Sequence, residues 1–397
     1  MNLSKKRFWC VVIGISLFCS LPVFVLWRKV DRVSRMERFI ARRQNSEILN
    51  LKSVSASLNQ ILLDVGKSRM LMPDRLANVT CAQQLGIVKK VRTIDLDPIF
   101  APYNPSIIEN EEGGYHIFFR YDVPKDSWKL HPFYSYIGYA ELDSEFAPKK
   151  ITEKLNTNSL YSEDPRIVKV GKDFFLSWND KILKSKVYSR TIHTGKWNPK
   201  NYKLDYITNL DQHIKPVEKN WVPFERWEKN EPYLGFVYGI QPHKILSVPS
   251  PKENQVDHLI SKGDSALNDL EWTKLWGSLC GGTTARLVDN EYISFFHSYF
   301  KEDEKIWYVM GAYTFQAEAP YKITSITPYP VMFEGIYESP FVNTADASKH
   351  TIYPSGIALE KKGKKQLLHV SCGENDCAVK IITIDYEKLR KHMVPVK

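Results

Sequence analysis

The run Glu163-Asp164-Pro165-Arg166 sets two carboxylates side by side, with a guanidinium two residues further on. A carboxylate can give or take a proton during a reaction, and a nearby arginine favours its ionised form. The same residues have a plain structural use: an Asp-Pro turn, with Arg166 paired to a neighbouring part of the fold. A second set, Arg120, Arg166, Lys219 and His243, has the types that steady an anion whose charge grows during a reaction. Lys219, within Glu218-Lys219-Asn220-Trp221, could equally be a solvated charge, and His243 a turn residue after Pro242. Asn104, in Tyr103-Asn104-Pro105-Ser106, and Asp376, in Gly373-Glu374-Asn375-Asp376, could bind hydroxyl groups or orient an acid, although both types also build turns. Trp221 and Tyr353 could stack on flat ligand faces or fill a core.

These residues need a scaffold that brings distant segments together. From about residue 95, short aromatic and β-branched runs alternate with Gly, Pro, Asn and Asp turns. Tyr115 to Tyr121, Asp173 to Trp178, Tyr233 to Tyr238, Glu291 to His297 and Gln366 to Val370 each read as strands. Helical periodicity is confined to a short tail, Tyr386 to His392, which argues against a nucleotide-binding βαβ domain. Turn-forming polar motifs recur roughly every 55–72 residues, each before a strand pair. They are Tyr103-Asn104-Pro105-Ser106, Ser162 to Arg166, Glu218 to Trp221, Gly281-Gly282-Thr283-Thr284 and Tyr353-Pro354-Ser355-Gly356. The spacing predicts an all-β fold, a five-bladed β-propeller over residues 95–397, whose inner strands would carry the motifs to the central axis.

Taken in order, the motifs resemble glycoside hydrolase family 130, the β-mannoside phosphorylases, and the related β-mannosyltransferases of glycosyltransferase family 108. The resemblance spans about residues 95–385 and includes Gly282-Thr283-Thr284, Met310-Gly311-Ala312-Tyr313 and Gly373-Glu374-Asn375-Asp376. It implies that Asp164 is the single catalytic carboxylate. It also implies that Arg120, Arg166, Lys219 and His243 bind the phosphate of a donor, and that Asn104, Glu163, Asn220 and Asp376 contact sugar. A phosphorylase needs one acid because phosphate itself attacks the anomeric carbon; in reverse, the same carboxylate takes a proton from an acceptor hydroxyl.

The N-terminal part departs from that mostly soluble family. Phe8 to Trp27 is an uncharged run of about 30 Å if helical, long enough to span a bilayer core. It reads as an uncleaved signal anchor after a short tail, residues 1–7, and before a helical stem and linker, residues 28–94. Leu51, Val54, Leu58, Ile61 and Val65 trace a heptad seam through which stems could pair into a homo-oligomer. Residues 1–50 hold ten Lys/Arg against three Asp/Glu, most of the chain's net charge of +10. This distribution suits a juxtamembrane segment and not a nucleic-acid surface. Arg28, Lys29, Arg32 and Arg35 outnumber the basic residues before the span, which alone would leave the C-terminal part cytosolic. The sequon Asn78-Val79-Thr80 and four cysteines beyond the span argue for the lumen, where a disulfide is expected without the pairing being fixed.

No metal or cofactor is expected. Asp95-Leu96-Asp97 matches an Asp-x-Asp metal motif, but no βαβ pattern precedes it. The combined expectation is a type II membrane glycosyltransferase of the Golgi or secretory pathway. Its partners would be a nucleotide sugar or sugar phosphate and a glycan acceptor. A phosphorylase or hydrolase on the same site, and a non-enzymatic sugar-binding propeller, are the alternatives.

Overall fold

Strands alternate with tight turns along the chain because its apolar runs are short and its turn residues tolerate left-handed backbone. Lys229-Asn230, Asp289-Asn290 and Asp303-Glu304 each have positive φ at both positions, the type I′ geometry whose twist matches that of a two-stranded hairpin. The computed structural model describes residues 72–396 apart from 125–132, 185–186, 211–216, 251–254, 262–269, 340–347 and 364. The expected membrane span and the heptad seam lie outside the described residues. Among the described residues no helix is long and apolar enough to cross a membrane.

After a single-turn helix, α1 (Asp74–Ala77), comes strand β1 (Val88–Ile94). A first four-stranded antiparallel sheet follows: β2 (Tyr103–Glu109), β3 (Tyr115–Pro124), β4 (Phe133–Leu142) and β5 (Pro148–Thr152). The second contains β6 (Glu163–Val170), β7 (Asp173–Lys184), β8 (Val187–Asn198) and β9 (Lys203–Leu210). The third contains β10 (Val222–Glu228), β11 (Glu231–Ile240), β12 (His243–Ser250) and β13 (Gln255–Ser261). Helix α2 (Glu271–Trp276) leads to β14 (Cys280–Gly281), β15 (Arg286–Val288), β16 (Glu291–Glu302), β17 (Lys305–Gln316), β18 (Ile323–Ile326) and β19 (Lys349–His350). The last sheet has β20 (Ile352–Lys362), β21 (Lys365–Glu374) and β22 (Ala378–Asp385), followed by α3 (Tyr386–His392) and β23 (Val394–Pro395).

The all-β propeller expected from the sequence is present, with two corrections. Four sheets are regular four-stranded blades, whereas β14–β19 and the C-terminal β23 build a seven-stranded sheet. Five equal blades are therefore not found. The second correction concerns the linker: Val88–Ile94, expected before the propeller, is a strand of it. β1 pairs antiparallel with β22, so the last blade has the order β1-β22-β21-β20 and joins the strand before the first blade to the last three long strands.

The core lies between neighbouring blades. Ile107, Ile117 and Phe119 of the first pack with Ile94, Ala358, Val379 and Ile381 of the last. Ile108, Phe118 and Tyr139 meet Ile167, Leu176, Trp178 and Trp197 of the second. Because each sheet is covered on both faces, its inner strands read as near-continuous apolar runs instead of alternating ones. Polar side chains fix the seams: Ser106 Oγ accepts the Ile167 N–H at 3.0 Å, and Ser371 Oγ donates to Pro105 O at 2.6 Å.

Candidate active site

The recurring motifs do more than open inner strands. In β2 and β6 the ladder slips between Tyr103 and Ser106 and between Glu163 and Arg166, leaving Asn104-Pro105 and Asp164-Pro165 as bulges. Proline at the second bulge position has no N–H to lose from the ladder, which suits it to that place. Asn104 and Asp164 adopt left-handed φ of 45° and 54°; Asn220 and Asp376 do the same at 64° and 49°. Left-handed backbone is uncommon outside glycine and easiest for Asn and Asp. At these four positions the strained residue is the one with a polar side chain to present.

Asn104 and Asp164 meet directly. Asn104 Nδ2 donates to Asp164 Oδ1 at 2.8 Å, and Arg120 Nη1 approaches the same oxygen at 3.5 Å. Asn179 Nδ2 reaches Oδ2 at 3.4 Å. Burial pushes the Asp164 carboxyl up, but Arg120, the Asn104 amide, Arg166 and Arg190 outweigh it and hold the group below its ordinary value. Asp164 is thus a buried carboxylate anion near neutral pH. Glu163 pairs with Arg120 at 3.1 Å and also with Arg190. Burial nevertheless pushes it up, against the pull of both arginines. Half-buried Asp376 is driven to about 6 by burial, with Arg120 opposing and Asp164 and Asp122 assisting.

The four residues of the expected anion-binding set are held in different ways. Arg120 stands beside Asp164, but its fork is also held by Asp122, with Nε 3.1 Å from Oδ1. Arg166 takes its structural alternative: Nε donates to Gly282 O at 2.7 Å and Nη2 to the Tyr353 hydroxyl at 3.1 Å. It ties the second blade to the fourth and fifth sheets. Lys219 is exposed, yet its charge is felt at His297. His243 is enclosed by Tyr313 and Phe315, with Nδ1 against Tyr321 O at 2.8 Å. Burial lowers it to about 4, so it is a neutral histidine of the third seam.

Asn220 accepts the Tyr353 hydroxyl at 2.7 Å, which places it in the Arg166 group. Trp221 is core, donating Nε1 to Glu218 Oε2 at 3.1 Å and packing on Phe236. Asn78 is exposed after α1. The expected disulfide is not formed among the described residues: Cys81, Cys280, Cys372 and Cys377 are not joined to one another. Cys372 faces Met310, its Sγ 3.8 Å from Sδ, and Cys377 bonds Glu374 O at 3.5 Å, so neither is turned to a partner cysteine. Asp95 Oδ1 accepts the Asp97 N–H at 3.0 Å and closes a turn.

Several site residues escaped the sequence reading. Asp122 accepts from Tyr103 Oη at 2.7 Å, Ser135 Oγ at 2.8 Å and Arg120, fixing the guanidinium beside Asp164. Its position two residues after Arg120 on one strand put both on one face. Arg190 Nη1 donates to Asn179 Oδ1 at 2.6 Å. Nothing around Arg190 in the sequence marks it out. An ionised carboxylate held by an amide and a guanidinium can accept a proton or bind hydroxyl donors, and that is the chemistry available here.

No protein-family model matches the chain. No curated protein matches it either. Several solved structures are similar in fold. A GDP-Man-dependent mannosyltransferase from Leishmania mexicana aligns at 13% identity over 77% of this chain and 92% of its own, with a TM-score of 0.47. A mannose phosphorylase from the same organism aligns at 16% identity over 78% and 92%, with a TM-score of 0.44. The catalytic domain of a Coprinopsis cinerea GH62 α-L-arabinofuranosidase aligns at 11% identity over 76% and 95%, with a TM-score of 0.45. At these scores none transfers a residue role to this chain.

Proposed function

We propose that this chain is a membrane-anchored, inverting glycosyltransferase in which Asp164 is the base. The observation that carries the reading is the geometry around Asp164: a buried carboxyl on a left-handed bulge, gripped through one oxygen by Asn104 and Arg120, surroundings that favour its anion. An anion is the form needed to take a proton from an acceptor hydroxyl. The acceptor oxygen then attacks the anomeric carbon as the bond to the donor phosphate breaks, and the phosphate leaves with that electron pair. The anomeric configuration inverts, and the proton ends on Asp164. The sugar class, a β-linked mannosyl unit from a nucleotide- or phosphate-activated donor, comes from the motif order in the sequence. Lys219, which is exposed and acts electrostatically on His297, would meet the donor phosphate together with Arg120, which stands beside Asp164.

In this reading the seven-stranded sheet serves as the fifth blade, because β11 adjoins β14, and β16 and β17 adjoin β20. The span Phe8 to Trp27 anchors the chain with the propeller in the secretory lumen and Asn78 glycosylated. The test is turnover by the detergent-solubilised full chain. Activated mannose plus a mannoside acceptor should give elongated product. A β-mannoside plus phosphate, the phosphorolysis assay, should give less. Asp164→Asn should lower turnover by about 10²–10⁴-fold. Turnover only with β-mannoside and phosphate would reverse the assigned direction. Absence of turnover with every donor would leave a sugar-binding propeller.

A further inference from the structure

Beside the candidate site, strands β16 and β17 carry a row of rings that none of the roles above uses. His297 packs on Tyr353 with centroids 4.5 Å apart, Tyr308 lies 6.1 Å from His297, and Tyr299 lies 5.2 Å from Tyr308. The ladder explains the row. Tyr299 and Tyr308 are direct cross-strand partners, and His297 precedes Tyr299 by two positions on the same face. The row is continuous with the site at its inner end. Arg166 and Asn220 hold the Tyr353 hydroxyl, and Asp376 acts electrostatically on Tyr308.

Burial falls steadily outward. Tyr353 and His297 are buried, Tyr308 is half-buried and Tyr299 is 53% exposed. A tyrosine pair in a blade core would be covered on both faces, as Tyr292 and Tyr313 are. His297 adds a second sign of an occupant, because its buried Nδ1 has no hydrogen-bond partner among the described residues. Burial holds that imidazole neutral, at about 3, so it can exchange hydrogen bonds with a hydroxyl but adds no charge. A row of rings that emerges from the core to the surface beside hydroxyl-binding groups suits the apolar faces and polar rims of sugar rings.

We propose that Tyr308 and Tyr299 form a rail for the outer units of an oligosaccharide whose reacting unit sits at Asp164, with His297 at the junction. The proposal rests on the carbohydrate reading above and deepens it: the ligand is an oligosaccharide, not a single sugar. The experiment is calorimetric titration of the full chain in detergent with mannose and with a β-linked mannotetraose. The tetrasaccharide should bind more tightly than mannose. Tyr299→Ala should weaken tetrasaccharide binding about five-fold, and Tyr299→Ala with Tyr308→Ala at least about ten-fold, with mannose binding unchanged. Tyr299→Phe, which keeps the ring, should bind like the wild type. Tyr299 is exposed enough that its alanine variant should melt with the wild type, so that variant is decisive even if Tyr308→Ala fails to fold. If mannotetraose binds no better than mannose, or keeps its full advantage in Tyr299→Ala, the rail is wrong and the carbohydrate reading stands. If neither sugar binds the wild type, both fall.

Discussion

Asp164 and Asp376 both lie within electrostatic reach of Arg120, yet their carboxyls are driven in opposite directions. Asp164 has Asn104 and the arginines to stabilise its anion; Asp376 has burial and two neighbouring carboxylates against it. Such divergence is how one site can hold one group ionised and another protonated. The Asp376 shift has a thermodynamic consequence. A raised folded-state value gives stability that is complete below the unfolded value and lost as pH rises through about 6. Wild-type stability should therefore fall between about pH 4 and 7 by up to about 3 kcal/mol more than that of Asp376→Asn. Urea unfolding of both proteins at several pH values measures this. Equal slopes would show that Asp376 is not held protonated.

At the scale of the element, the bulge is what turns a strand end into a binding site, and close backbone approach is what keeps the bulge in place. Gly373 of β21 lies against Asn104: an added Cβ would sit 2.5 Å from the Asn104 N and closer still to its Oδ1. Gly373→Ala should push Asn104 away from Asp164, lowering turnover at least ten-fold. Overpacking of this kind costs about 1–3 kcal/mol. Gly195→Ala is the control, because its Cβ would come no closer than 3.4 Å to a neighbour. A Gly373→Ala enzyme with wild-type turnover would mean that the Asn104 bond does not matter. The Arg166 clamp is a second element-scale device. By joining the second blade to Gly282 and Tyr353, it fixes where Asn220 and the aromatic row begin.

For the molecule as a whole, closure depends on β1. It is the strand of the last blade that precedes the first blade in sequence, and Ile94 carries it into the core shared with the first blade. A chain beginning at residue 95 lacks that strand and exposes β22 as an open edge. It should melt well below a chain beginning at residue 72, with a broader transition, as followed by circular dichroism or calorimetry. Matching melting curves would show that the ring closes without β1.

Much of this was legible in the sequence. Strand positions, turn chemistry and the order of the polar motifs depend on residues a few places apart, so Tyr115 to Tyr121 or Asp289-Asn290 declare themselves locally. Asn104-Pro105 and Asp164-Pro165 read as turn motifs in the sequence; that they are bulges that meet came from the ladders and the packing. Local texture was misleading where pairing was remote. Val88–Ile94 mixes Lys89, Lys90 and Arg92 with its β-branched residues, and its pairing with the distant β22 is what makes it a strand of the propeller. His243 and Arg120 look equally suited to an anion in the sequence; packing encloses one behind Phe315 and sets the other beside Asp164. Arg166 reaches a tyrosine 187 positions away, and Arg190 joins the site because β8 is aligned beside β7. The sequence alone determined the strands and the polar residues they could present, because period and turn geometry are short-range. Only the tertiary structure decided which charges share Asp164 and which are used as structural ties, because that follows from how the sheets close on one another.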